Sequence, residues 1–111
     1  MVKTMTEQEK MQRGEWYDAN YDAELLRQRQ ETDGICFDYN HTRPGDPRRE
    51  DILRKLLKTE ILPDGLEMLA PVYMDYGRNV HFGRHVFCNH GCYFMSTKRL
   101  LYGNGGTTMM L

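Results

Sequence analysis

Between Val80 and Leu100, apolar residues recur every six positions. Phe82, Cys88, Phe94 and Leu100 form one series, and Val80, Val86 and Cys92 form a second. A six-residue recurrence with glycine and asparagine at the corners marks a hexapeptide β-helix, in which each short strand is one face of a triangular coil. Residues at the same place in each hexad then point inward and stack on the coil above. An antiparallel meander of short strands would also alternate apolar and polar positions, so periodicity alone leaves both arrangements open. Coiled arrays need several stacked units for stability, which makes the number of hexads matter.

The chain ahead of this region has a different texture. Up to about Thr59 it is charged and patterned for helices; from about Ile61 it is rich in Gly, Val, Phe and Tyr. Thr6 followed by Glu9 is a capping-box pattern that opens a first short helix, with Met11 facing inward and Gly14 ending it. Trp16 and Tyr17 follow and are expected to pack on a neighbour, as aromatic pairs at helix ends usually do. A second helix is predicted from Asp22, a good N-cap, to Tyr39. Its apolar residues Leu25, Leu26, Ile35, Cys36 and Tyr39 are interrupted by the polar run 27–33. Turn residues make 40–47 a loop. Asp46-Pro47 then reads as N-cap and first helical position, since proline lacks an N–H that is not needed there. Ile52, Leu53, Leu56 and Leu57 form one face of a third helix. Pro63-Asp64-Gly65 is a turn.

Composition narrows the classes. With 15 Lys and Arg against 16 Asp and Glu, the net charge of −1 lacks the basic excess of a nucleic-acid footprint. No apolar run approaches the ~18 residues that span a membrane, and the first ten residues lack the apolar core of a signal peptide. Three cysteines without a framework spacing fit reduced thiols in the cytoplasm, the expected location.

Three stretches carry a family resemblance. They are Met5 to Met11 followed by Gly14-Glu15-Trp16-Tyr17-Asp18-Ala19-Asn20-Tyr21-Asp22; then Cys36-Phe37-Asp38-Tyr39-Asn40-His41-Thr42-Arg43-Pro44; then Pro71 to Gly83, continuing to Asn89 and Cys92. In this order and spacing they resemble the amino-terminal portion of the maltose and galactoside (sugar) O-acetyltransferases, which are hexapeptide-repeat acyltransferases. The resemblance implies an α+β chain: N-terminal helices followed by the first coils of a left-handed parallel β-helix. The domains expected are a helical maltose/galactoside acetyltransferase domain at 5–60, the start of the β-helix at 61–95, and an aberrant or truncated tail at 96–111. The family implies acetyl transfer from acetyl-CoA, its co-substrate, to a hydroxyl of maltose, glucose or a galactoside. It also implies a homotrimer with sites between subunits and no metal. No nucleic acid or membrane is expected as a partner. A histidine is the family's general base, a role suited to a group that titrates near neutrality.

Carried onto this sequence, the resemblance nominates five acceptor-binding positions. Asn89 matches an asparagine beside the sugar; its amide both donates and accepts. Arg29 matches a sugar-contacting arginine on the second helix. Asp75 falls at a polar sugar contact, Asn20 near an acidic sugar ligand, and Phe87 at an aromatic platform.

The chain also departs from the family. Ser96 or Thr97 stands where an acidic residue is expected, and Lys98 occupies a hexad place held by Val80, Val86 and Cys92. The last stretch loses hexapeptide texture. The expectation is therefore little more than one coil, a truncated or frameshifted end, and a catalytic histidine lying beyond Leu111. His41, His81, His85 and His90 match no catalytic role and are expected at the surface or at corners. Two other readings remain. One is a non-catalytic sugar-binding or assembly domain. The other is a zinc module using His81, His85, Cys88, His90 and Cys92, with Cys88, His90 and Cys92 on one strand face.

Overall fold

The structure, a computed structural model, describes residues 4–103 and 109–111. Three helices come first: α1 (Glu7–Gln12), α2 (Ala23–Asn40) and α3 (Arg48–Leu57). Short strands follow: β1 (Glu67–Met68), β2 (Val72–Met74), β3 (Val80–Phe82), β4 (Val86–Cys88), β5 (Cys92–Phe94), β6 (Leu100–Tyr102) and β7 (Met109–Met110). A 3-10 turn, Gly77–Asn79, precedes β3.

The first two helix signals act as read. Thr6 Oγ1 accepts from Glu9 N at 3.1 Å, and Asp22 Oδ2 accepts from Leu25 N at 2.9 Å. At α3 the reading is one residue early: Pro47 is the N-cap, without a side-chain cap, and Asp46 just ahead of it accepts from Arg48 N through Oδ1 at 2.9 Å. The broken apolar stripe of α2 still buries Leu25, Ile35, Cys36 and Tyr39, while Arg27 spans Glu24 and Glu31 on the solvent side. The aromatic pair after α1 divides. Tyr17 packs on Met11, Leu25 and Tyr76, whereas Trp16 is 98% exposed and packs on nothing. The backbone turns after Gly14, and only one of two neighbouring rings can face the α1–α2 contact.

Every strand pair is parallel. The three faces are β1-β4-β7, β2-β5 and β3-β6, so consecutive strands lie on successive faces of a prism. An antiparallel hairpin is excluded. Glu67 faces Phe87, Val72 faces Cys92 and Val80 faces Leu100, an offset of 20 residues between the first coil and the second. Three hexads alone would close in 18, and the two additional residues sit at the corner between β2 and β3 and again between β5 and β6. This corrects the hexad reading beyond Phe94. Leu100 stacks on Val80 rather than continuing the Phe82 series, and Tyr102 stacks on Phe82. Lys98 is an exposed corner residue, not a failed core position.

Two coils, β1–β3 and β4–β6, are therefore present, and β7 begins a third by pairing with β4. The interior is apolar: Met68, Val72, Met74, Val80, Val86, Cys88 and Phe94 are buried. Phe82, Phe94 and Tyr102 form an aromatic stack with centroids 5.3–5.8 Å apart. The helices close the first coil. Asn40 acts as a surrogate strand residue, its Oδ1 accepting from Val72 N at 2.8 Å and its Nδ2 donating to Val72 O at 2.9 Å. Tyr39 Oη donates to Met68 O. These bonds satisfy backbone groups that an open coil end would leave unpaired.

Candidate functional site

The α2 helix lies over β2, and the two do not close completely. Between them is a cavity of about 280 Å³ lined by Arg29, Gln30, Asp33, Tyr73, Met74, Asp75 and Tyr93. The strand alternation explains the strand side. Val72 and Met74 point into the coil, so Tyr73 and Asp75 point out; on β5, Phe94 points in and Tyr93 out. The helix side comes from α2, whose buried stripe turns Ile35 and Cys36 to the core and leaves Arg29, Gln30 and Asp33 at its edge.

Two separate hydrogen bonds hold the polar groups. Tyr93 Oη donates to Asp75 Oδ1 at 2.6 Å, and Arg29 Nη1 donates to the buried Tyr76 hydroxyl at 2.9 Å. The carboxylate of Asp75 is the main cause that pushes the Tyr93 phenol up to about 12, with desolvation adding to it. The cavity thus presents two carboxylates, one guanidinium and two tyrosine rings. That set binds a neutral polyol well: rings cover C–H faces, while charged groups make strong hydrogen bonds to hydroxyls.

The five nominated positions do not all meet. Arg29 and Asp75 share this cavity. Phe87 lines a different one, of about 320 Å³, with Gly65, Glu67, His85, Val86 and Met110. Asn89 is an exposed corner residue after β4; its Oδ1 accepts from His90 N at 2.8 Å and its own N donates to Leu111 O at 2.9 Å. Asn20 is exposed in the turn ahead of α2. Tyr73, Tyr93 and Asp33 are cavity residues the sequence reading passed over. The 20-residue offset, had it been seen, would have set Tyr93 beside Tyr73.

A smaller cavity of about 120 Å³ lies on the other flank of α2, lined by Arg27, Gln28, Glu31, Lys58 and Arg78 among others. There Arg78 Nε and Nη2 are buried and have no acceptor among the described residues. The zinc arrangement is not formed. Cys88 is in β4 facing the interior, His90 is in the following corner and Cys92 is in β5, so the three share no strand. Burial pushes the Cys88 thiol up to about 12, which disfavours a thiolate ligand. Among the described residues no cluster of three or more His, Cys, Asp or Glu is placed to hold a metal ion.

Comparison with known proteins shows what the chain is similar to. Residues 10–59 match the family described as the maltose acetyltransferase hexapeptide capping motif. The motif covers all of α2 and α3, the helices that close the first coil. A protein of Staphylococcus aureus (strain MRSA252) named as an acetyltransferase is 42% identical over 92 residues, covering 82% of this chain and 45% of the relative. The crystal structure of a maltose O-acetyltransferase from Clostridium difficile 630 superposes with a TM-score of 0.80 at 32% identity, covering 90% of this chain and 53% of that one. A hexapeptide-repeat acetyltransferase from Vibrio cholerae, solved with acetyl coenzyme A, shares the fold with a TM-score of 0.72 at 23% identity, covering 89% of this chain and 52% of its own. The chain spans about half the length of the relatives it matches. The resemblance to the maltose and galactoside acetyltransferases drawn from the sequence therefore holds, and the capping motif sits beside the Arg29–Asp75–Tyr93 cavity. Among the described residues no helix is long and apolar enough to cross a membrane.

Proposed function

We propose that this chain supplies the acceptor-binding half of an acetyl-CoA-dependent sugar O-acetyltransferase. The acetyl group goes to a hydroxyl of maltose, glucose or a galactoside. The observation that carries the reading is the polyol-type cavity formed between the capping motif and the first coil, with Arg29 on one wall and Asp75 on the other. Asn89, Phe87 and Asn20 lie away from it on the same chain, an arrangement that suits a site completed between subunits of a homotrimer. The β-helix takes the family's left hand. The domains proposed are 5–60 for the cap, 61–95 for the opening of the coil and 96–111 for the tail, within which β6 pairs with β3 and β7 with β4. Three unpaired thiols accord with a cytoplasmic protein.

Acyl transfer to a hydroxyl needs a base within about 3 Å of the attacking oxygen and a donor held beside it. None of His41, His81, His85 and His90 lines the Arg29–Asp75 cavity, and all four are exposed. The 111-residue polypeptide by itself therefore binds sugar weakly, in the millimolar range or about −4 kcal/mol, and turns over no acetyl-CoA. Without turnover in any assembly it would be the sugar-binding domain of the alternative reading. One experiment decides. Free CoA release is followed with acetyl-CoA and maltose or a galactoside, for the polypeptide alone and for a chimera joining it to the carboxyl-terminal coils of the Clostridium relative. The chimera is expected to acetylate the sugar and the polypeptide alone is not. Turnover by the polypeptide alone, abolished by replacing His81, His85 or His90, would assign the base to this chain. A folded, inactive chimera would favour the sugar-binding domain.

A further inference from the structure

Tyr93 is out of place for a solvent-facing position of a bare coil. It is 56% exposed and faces Tyr73, itself 43% exposed, across the β2–β5 pair. Two large rings side by side in solvent have an energetic cost that a soluble surface normally avoids. Tyr93 also reaches diagonally, past its direct neighbour, to Asp75 Oδ1 at 2.6 Å. That bond is shorter than most neutral hydroxyl bonds and has the length of one to an ionised carboxylate.

The bond fixes what the pair offers a ligand. Having donated its hydrogen to Asp75, the phenol oxygen has only lone pairs left to present. The carboxylate makes no other side-chain hydrogen bond among the described residues, so Oδ1, which accepts once from Tyr93, keeps a further lone pair to offer. The pair is a double acceptor whose two centres stand one hydrogen-bond length apart. Adjacent gauche hydroxyls on a pyranose ring have their oxygens separated by about the same length and carry two donors. Arg29 and Gln30 on the helix wall supply donors for the remaining sugar oxygens, and the Tyr73 and Tyr93 rings cover the C–H face.

We infer that Tyr93 is a specificity-determining residue of the acceptor site, which with Asp75 selects sugars bearing two adjacent gauche hydroxyls. This rests on the reading of the cavity as an acceptor site. The pair also orients Asp75: without the phenol, the carboxylate is free to rotate toward water or toward Arg29.

The test is a ligand-observed NMR titration of the full 111-residue chain with methyl α-glucoside and its 2-, 3- and 4-deoxy analogues. In the unaltered chain at least one deoxy analogue binds about tenfold more weakly than the parent, the loss expected for one hydrogen bond to a charged acceptor. Tyr93→Phe weakens the parent to the level of that analogue and erases the difference between them, because the analogue never used the lost bond. Asp75→Asn does the same. A merely structural role would weaken all four sugars equally. As an independent check on the pair in solution, absorbance titration at alkaline pH should show one phenol titrating late, and Asp75→Asn should bring it down. Parent binding with discrimination intact in Tyr93→Phe overturns the inference and leaves the acceptor site standing. No binding of any sugar by the unaltered chain overturns both. An alkaline titration unchanged by Asp75→Asn shows that the pair is absent and overturns the inference.

Discussion

The two coils share a register of 20 residues but not an environment. The first is roofed: α2 packs over β2, α3 packs on the turn at Gly77–Asn79, and Tyr76 is buried against Met11 and Leu25. The second has no helix packed closely on it among the described residues, and Tyr93, Met95 and Leu101 on its outer faces are exposed. The same five-residue corner shows the consequence. In the first coil it reads Asp75-Tyr76-Gly77-Arg78-Asn79, in the second Met95-Ser96-Thr97-Lys98-Arg99. The first corner is shaped to receive a helix. The second is shaped to stack beneath the first, with Ser96 fully buried under Tyr76. Register sets where a residue goes; what covers that place sets which residue it is.

The sharpest break of this comparison is at Gly77 and its counterpart Thr97. A Cβ on Gly77 would lie 1.8 Å from Leu56 O and 2.8 Å from Leu56 C. Both are backbone atoms of α3, so neither can swing aside. Gly77→Ala is expected to cost about 3 kcal/mol through overpacking, enough to lower Tm by more than about 10 °C. Thr97→Ala, at the unroofed copy of the same place, should stay within about 0.5 kcal/mol. Thermal unfolding by circular dichroism of both variants checks this, and equal losses would mean that α3 does not seat on the corner.

Ser96 comes next. Its Oγ accepts from Tyr76 N at 2.9 Å and donates to Tyr76 O at 2.9 Å, and Asn79 Nδ2 donates to Ser96 O at 2.7 Å. This side chain joins the corners of the two coils. Ser96→Ala leaves a buried amide without a partner, a loss of about 2 kcal/mol. Urea denaturation should show a lower midpoint at unchanged slope. A variant as stable as the original would show that the corners are held by packing alone.

The helices were legible because their signals are local. Thr6 and Asp22 cap at the positions their residue types announce, α3 starts one residue later than Asp46-Pro47 announces, and α2 falls within one residue of its predicted bounds. The coil was legible from Val80 to Phe94, where corners are uniform and six is the true spacing. Past Phe94 the reading failed because the corner gains two residues, and the reason is distant in sequence. Ser96 must meet Tyr76 across 20 positions, and a search for period six does not look that far. For the same reason Ser96 and Lys98 read as departures although one is a buried joint and the other a corner. At the cavity, Arg29 and Asp75 came from family likeness, whereas Tyr93 needed the strand register. Trp16 had no legible outcome, since nothing local says which of two adjacent aromatics turns inward.

The interior of the second coil also differs from the first chemically, since Cys88 stands where the first coil has Met68. Burial raises the Cys88 thiol from 9.0 to about 12 and that of Cys36 under the helices to about 11. A thiol whose folded value lies above its unfolded one contributes stability that is complete below pH 9 and lost as pH rises toward the folded value. Tm should therefore fall between pH 9 and 11. Cys88→Val should flatten that slope more than Cys36→Ala does. A Tm independent of pH across this window would place the thiols in contact with water.

The smallest effect separates the coils at the corner before β1 and β4. Gly65 and His85 occupy the same register place and both have positive φ, +69° and +57°. Glycine adopts this conformation without a side-chain penalty, whereas a histidine there carries roughly 1–2 kcal/mol of strain. Replacing His85 with glycine removes the strain but restores chain entropy to the unfolded state, which takes back roughly 0.5–1 kcal/mol. The net gain is about 0.5 kcal/mol, or 2–3 °C in Tm by the ~4–8 °C per kcal/mol of small domains. His85→Ala is the control, because alanine keeps the strain and loses the ring; it should gain nothing. The reverse change at the first coil should be costly, since a Cβ on Gly65 would meet His85 Nδ1 at 2.5 Å. If His85→Gly is destabilising by more than 1 kcal/mol, then the imidazole, stacked over Gly65 and lining the Phe87 cavity, outweighs the strain, and the second coil keeps histidine there for its contacts.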